Sequence, residues 1–245
     1  MDIYWTQIPI WSENQKYGEL GALGQEPPSK LIQNIPEPLR VIGDYPRCPA
    51  FNQHLKNLFV IKAPLDAKIT IDTEKKEIDA SDSPVDWYQH YLDANQLESE
   101  NTIQFLTQML FFSEKSTEMM IMHPFMHHNV FTDRGSLLMG SFDISQWFRP
   151  LSAAYFLKED FIKESNGKLV FDIKQGDVLA YVKFFTDEKI NFIYSTCTPK
   201  MEHIAQMCLS HKLTRKKIFS LQDAYHRFKQ FNLSRQLTLE FKRNT

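Results

Sequence analysis

Apolar residues along the chain fall into short alternating runs far more often than into helical stripes. From Leu58 to Ile61 they form a brief continuous run, which Pro64 breaks. Ala67, Ile69 and Ile71 then alternate with Lys68, Thr70 and Asp72, the period of a half-buried strand. Two strands around a proline-containing bend are predicted there. In 103–110 the period is ambiguous: Ile103, Phe105 and Leu106 suit a strand, whereas Ile103, Leu106, Met109 and Leu110 share a helix face. The turn-like "SEKS" and the apolar run Met119–Met122 favour a strand hairpin. The clearest pattern lies in 151–196, where apolar runs alternate with Asn166-Gly167, Gln175-Gly176-Asp177 and Thr186–Lys189. Asn-Gly and Gly176 supply the positive φ that tight reversals need. Val178, Ala180, Val182 and Phe184 are expected on one face, with Leu179, Tyr181, Lys183 and Phe185 on the other, in an antiparallel meander.

Helical signals come only at the end of the chain. Thr198 with Pro199 just inside is a helix start, and Met201, Ile204, Ala205 and Cys208 share one face. Ser220 and Asp223 resemble a capping box opening a second helix, with Leu221, Ala224, Tyr225 and Phe228 as its stripe. Residues 1–50 are rich in Pro and Gly and poor in period, so an extended arm is expected, pinned by Trp5, Ile8, Ile10 and Trp11. Residues 74–101 read as an acidic surface excursion with a partial helical turn near Trp87–Leu92. The predicted fold class is therefore mainly β: an antiparallel sandwich or jelly-roll-like domain over 55–196, an extended arm over 1–54, and two C-terminal helices packed on it within 197–245.

Composition agrees with a globular β-rich chain. Of 245 residues 42% are hydrophobic and 24% charged, and the 19 Phe and 9 Tyr lean toward strands. No apolar run approaches the ~20 residues that span a bilayer, and the first residues lack a basic start and signal-type apolar stretch. A soluble, unsecreted chain with no membrane partner is expected. Cys48, Cys197 and Cys208 form no CxxC pair and are odd in number, which argues against a disulfide framework or a cysteine-rich zinc site. Charge is polarised. Asp66–Glu118 carries 12 acidic and 4 basic residues, a balance of −8, and Lys200–Thr245 carries 10 basic and 3 acidic, a balance of +7. A solvated helical surface explains the basic end most simply. Nucleic acid is a possible partner for Lys212, Arg215, Lys216, Lys217, Arg227 and Lys229, with a protein the alternative.

Chemistry is concentrated in "MMIMHPFMHHNVF" (119–131). If a metal is held there, Fe or Zn, its ligands are His123, His127 and His128. Two features weigh against that reading. There is no HxD or HxE in the chain, and Pro124 interrupts any helix that would align His123 with His127. Methionines and phenylalanines between the histidines favour packing instead, so no cofactor is expected. There is no GxGxxG, GxxxxGK[ST] or GxSxG. Cys48 acts as a nucleophile only if a histidine such as His54 lies beside it. In "FDISQWFRPLSAAYF", Trp147, Phe148 and Arg149 before Pro150 form either a stacking platform for a sugar or base, or an aromatic corner where the chain turns.

Three stretches, "RCPAFNQHLKNLFVIKAPLDAKITI", "FDISQWFRPLSAAYF" and "IKQGDVLAYVKFFTDEKI", resemble a family of uncharacterised proteins encoded mainly by tailed phages of marine bacteria, over roughly residues 45–195. The resemblance implies a phage origin, with the host cytoplasm or the virion as location, and brings no known activity or catalytic residue. "IKQGDVLAYVKF" is also similar to a strand–turn–strand of dUTPase-like and cupin-like folds, but their nucleotide and paired-histidine motifs are missing. The functional expectation is an accessory or virion-associated binding module with a protein or virion partner. A cupin-like or 2-oxoglutarate-type metal enzyme is the alternative, and nucleic-acid binding through the basic end the second.

Overall fold

The computed structural model describes residues 1–8, 32–34, 48–63, 66–72, 75, 77–79, 102–128, 130–158, 160–161, 166–208, 212–213, 216–217 and 221–245. Within these the chain is mainly β. The strands are β1 (Asp2–Gln7), β2 (Ile32–Asn34), β3 (Leu58–Lys62), β4 (Ala67–Asp72), β5 (Glu77–Asp79), β6 (Thr102–Leu106), β7 (Met109–Phe112) and β8 (Glu118–Met122). They continue with β9 (Gly135–Leu137), β10 (Gly140–Asp143), β11 (Ser152–Leu157), β12 (Lys168–Ile173), β13 (Val178–Phe184), β14 (Asn191–Tyr194), β15 (Lys212–Leu213) and β16 (Lys216–Lys217). The helices are α1 (Pro49–Leu55), α2 (Val130–Arg134), α3 (Pro199–Met207), α4 (Leu221–Gln230) and α5 (Leu233–Asn244). None of them is long and apolar enough to cross a membrane.

The predicted strands form, but their partners are not their chain neighbours. The sheets run β14-β1-β7, β10-β8-β13-β3-β2, β6-β11-β9, β12-β4-β5 and β15-β16. Among the described residues every pairing is antiparallel except β1 with β14. The expected meander of 151–196 is thus corrected: β11, β12, β13 and β14 belong to four different sheets. Gly176 and Asn166 do sit at positive φ, +90° and +49°, but each turn carries the chain from one sheet to another. The expected hairpin through "SEKS" is corrected in the same way, because β7 pairs with β1 and β8 with β10 and β13.

The β1-β7 pair of sheet β14-β1-β7 is covered on both faces, which explains the unbroken burial of Ile3–Gln7 and Met109–Phe112. Ile3, Trp5, Met109 and Phe111 face the main core with the other sheets, and Tyr4, Leu110 and Phe112 face a second core against the helices. Period-2 geometry turns successive side chains to opposite faces, so Ile3–Trp5 of β1 and Met109–Phe112 of β7, between two layers, are apolar without alternation, while Thr6 and Gln7 are polar side chains buried in the same strand as Ile3–Trp5. Residues 2–7 are therefore an interior strand, where an arm over the surface is expected from sequence; 9–31 and 35–47 lie outside the described residues.

The five-stranded sheet is likewise two-sided. Phe59, Ile61, Met119, Ile121, Val182 and Phe184 enter the main core, whereas Leu58, Val60, Val178 and Tyr181 join Leu55 of α1 in a third cluster, with Met122 and Met126 packed against it. The register shifts between Val178 and Ala180. That irregularity corrects the expected faces: Leu179 joins Ala180 in the main core, and Val178 goes to the other side.

Three helices, not the expected two, close the C-terminal end. Thr198 caps α3 by accepting the Met201 N–H at 3.2 Å, and Met201, Ile204, Ala205 and Cys208 are buried as their spacing predicts. The third, α5, follows α4 across Asn232, whose left-handed φ of +49° reverses the chain. Its Leu233, Leu237 and Phe241 complete the stripe, and Phe241 stacks on Phe112 with ring centroids 5.7 Å apart.

Candidate functional site

The three histidines of the methionine-rich stretch go to three different places. His123 follows β8, and its Nδ1 accepts the Leu137 N–H at 3.3 Å. His127 lies 2.5 Å from the Tyr181 hydroxyl, which also accepts the Met126 N–H at 3.2 Å. His123 Nδ1, as the acceptor of a backbone N–H, carries no proton, so that ring is neutral. Burial, assisted by Lys158 and Lys62 respectively, holds the His123 and His127 pKa values below the ordinary histidine range. His128 is exposed and meets Asp133 at 3.1 Å. Among the described residues no group of three or more His, Cys, Asp or Glu side chains is placed to hold a metal ion. The stretch as built packs: Met119 and Ile121 enter the main core, and Met122 and Met126 cover the third cluster.

The aromatic corner makes the more substantial site. A cavity of about 510 Å³ opens between β10, the segment 147–152 and α4, lined by Ile121, Phe142, Trp147, Arg149, Leu151 and Tyr225, with Leu138, Gly140, Ser141, Pro150, Ser152 and Gln222 completing its wall. Its position follows from one tight turn. The Asp143 carboxylate accepts Ser116 Oγ at 2.6 Å, the Ser145 N–H at 2.8 Å, the Thr117 N–H at 3.1 Å and Gln146 Nε2 at 3.1 Å. Burial would raise this carboxyl's pKa, but the hydrogen bonds from Ser116, Ser145 and Thr117 outweigh it and hold the group below its ordinary range. Gln146 Oε1 in turn accepts the Tyr225 hydroxyl at 2.9 Å. That bond fixes the Tyr225 ring against Trp147, stacked at 5.6 Å.

The three predicted binding residues of this corner separate. Phe148 is corrected from platform to core: it is fully buried and packs edge-on against Phe112 and Phe241, so no ligand reaches its face. Trp147 is largely buried but contributes to the cavity wall. Arg149 is the one lining residue of formal charge among the described residues. Among the described residues no carboxylate lies within ion-pair or hydrogen-bond reach of its guanidinium. Burial pulls its pKa below the ordinary arginine value, against a smaller opposite effect of Cys208, and an arginine stays protonated regardless.

Cys208 lies beside this arginine as a buried thiol pushed up to about 11 by desolvation, which suits packing and not nucleophilic attack. Cys48 is the exposed N-cap of α1 and His54 lies in that helix's last turn, so the two stand at opposite ends of one element. Lys216 and Lys217 form β16, in register with Leu213 and Lys212 of β15; Arg215 falls outside the described residues. Gln222 and Tyr225, 75 and 78 residues from Trp147 in sequence, have no local mark as site residues; Tyr225 reads only as part of a helix stripe. No family model, curated protein or solved structure matches the chain.

Proposed function

We propose that this chain is a non-catalytic binding module, an accessory or virion-associated protein of phage type, which engages its partner at the Trp147–Arg149 corner. The observation that carries the binding reading is the composition of the cavity wall among the described residues: two stacked aromatic rings, aliphatic side chains and a single cation. Among the described residues the lining contains no His, Asp, Glu, Lys or Cys to serve as general acid, base or nucleophile. Concave, mostly apolar walls with a few convergent polar groups are the usual form of a binding site. The phage origin rests on the sequence resemblance alone. The finer architectural reading, a sandwich or jelly-roll-like body, rests on the larger sheets sharing one core.

The test is fractionation of infected cells and purified virions carrying the tagged chain. Co-elution in a stable complex that Trp147→Ala weakens supports the reading. A chain that elutes alone from every fraction overturns it.

A further inference from the structure

Arg149 sets the chemistry of whatever fills the corner. A guanidinium drawn partly out of water without an anion partner loses hydration and receives little in return, so a site that keeps one is completed by an incoming anion. Its planar fork matches a carboxylate or a phosphate with two parallel hydrogen bonds. The wall decides between these two. Among the described residues it contains no lysine, no histidine and no second arginine, so these offer one positive charge. A carboxylate balances that charge, whereas a phosphate monoester at neutral pH carries nearly two and would bring an uncompensated charge into an apolar cavity. The remainder of the wall, Ile121, Phe142, Trp147, Leu151 and Tyr225, suits an apolar or aromatic body.

We infer that the cavity binds a monocarboxylate attached to an apolar or aromatic body, with the carboxylate on Arg149 and the body against Phe142, Trp147 and Tyr225. This rests on reading the corner as the binding site, and it names the group recognised. The carboxylate belongs either to a small organic acid or to the C-terminus of a polypeptide ending in an apolar residue.

The geometry supplies a control that leaves Arg149 in place. Gly140 pairs with Ile121 across β10 and β8, and directly opposed residues point to the same face. A Cβ built on Gly140 meets nothing within 4 Å, so Gly140→Val adds volume beside Ile121 in the cavity wall without a backbone clash.

The purified chain is titrated with 3-phenylpropanoate, 3-phenylpropanamide and phenyl phosphate, followed by ligand-observed NMR. A hexapeptide ending in phenylalanine is added with a free and with an amidated C-terminus. The free acid is expected to bind at least about tenfold more tightly than the amide and than the phosphate. Arg149→Met, with folding verified by its melting curve, abolishes that preference, and Gly140→Val weakens the acid and the amide together. A peptide acid much tighter than the small acid assigns the site to a polypeptide C-terminus; equal affinities assign it to a free acid. Equal binding of acid and amide, tighter binding of the phosphate, a preference that survives in Arg149→Met, or no binding at all overturns the inference. Because these probes need no partner, failure here leaves the virion complex to be judged separately, and absence of that complex leaves carboxylate binding standing.

Discussion

Replacing Gly176 with valine perturbs a turn that ties two sheets together. The Gly176 N–H donates to Ala63 O at 2.8 Å, the Ala63 N–H donates to Asp177 O at 2.7 Å, and the Gln175 N–H donates to Asp66 Oδ1 at 2.7 Å. The turn between β12 and β13 is thus bound to the connection between β3 and β4. Steric overlap is not the source of the expected loss, since a side chain at 176 has open space around its Cβ. The φ of +90° is. An L-residue there costs on the order of 1–3 kcal/mol, with alanine at the lower end and a β-branched residue at the upper. For a chain of this size each kcal/mol moves the melting temperature by about 2–4 °C, so Gly176→Val should lower it by about 5–10 °C and Gly176→Ala by about half as much. Asn166, at +49°, occupies the left-handed well that asparagine tolerates, and Asn166→Val should cost less. Differential scanning calorimetry of the three variants measures this. If Gly176→Val and Gly176→Ala melt with the wild type, or if Asn166→Val is the most damaged, the reasoning from backbone conformation is wrong.

Three further outcomes are expected. His123 and His127 have folded pKa values depressed below their unfolded ones, so their contribution to stability is present above about pH 6.5 and is lost as pH falls through the depressed values; in urea melts across this window the double variant His123→Gln/His127→Gln should show a flatter fall, and an equally steep one contradicts the assignment. Phe241→Ala removes a fully buried ring that meets Tyr4, Phe112 and Phe148, and should cost about 3–5 kcal/mol; because the β14-β1-β7 sheet lies between both cores, β and helix signals should still melt in one transition by circular dichroism. Gln108, at φ +58°, is neither glycine nor asparagine, and Gln108→Gly should raise stability by about 0.5–1 kcal/mol in chemical denaturation.

Local patterns carried most of the strands and two of the C-terminal helices. Ala67–Asp72, Lys168–Ile173 and Val178–Phe184 were readable because alternation and flanking turn residues are properties of a few neighbouring positions. Positive φ at Asn166, Gly167 and Gly176 was readable for the same reason. The strand at Asp2–Gln7 and the helix Leu233–Asn244 escaped notice. The first is apolar on both faces only over Ile3–Trp5, a run too short to show a period; the second has a stripe of only Leu233, Leu237 and Phe241 in a polar setting.

The candidate site divides in the same way. Trp147 and Arg149 stood out as unusual residues before a proline, but nothing near them in sequence revealed that Phe148 points into the helical core while α4 supplies Gln222 and Tyr225 to the opposite wall. Nor did the methionine-rich stretch disclose that Tyr181 would take His127 while Leu137 took His123. The sequence alone determined which segments are extended, where the chain turns and which side chains are apolar, since these follow from backbone sterics and short-range period. Which strand lies beside which, and so which residues share a wall, only the tertiary structure decided. A strand's backbone hydrogen bonds are satisfied equally well by many neighbours, and the choice falls to the arrangement that buries the apolar faces of all the sheets at once.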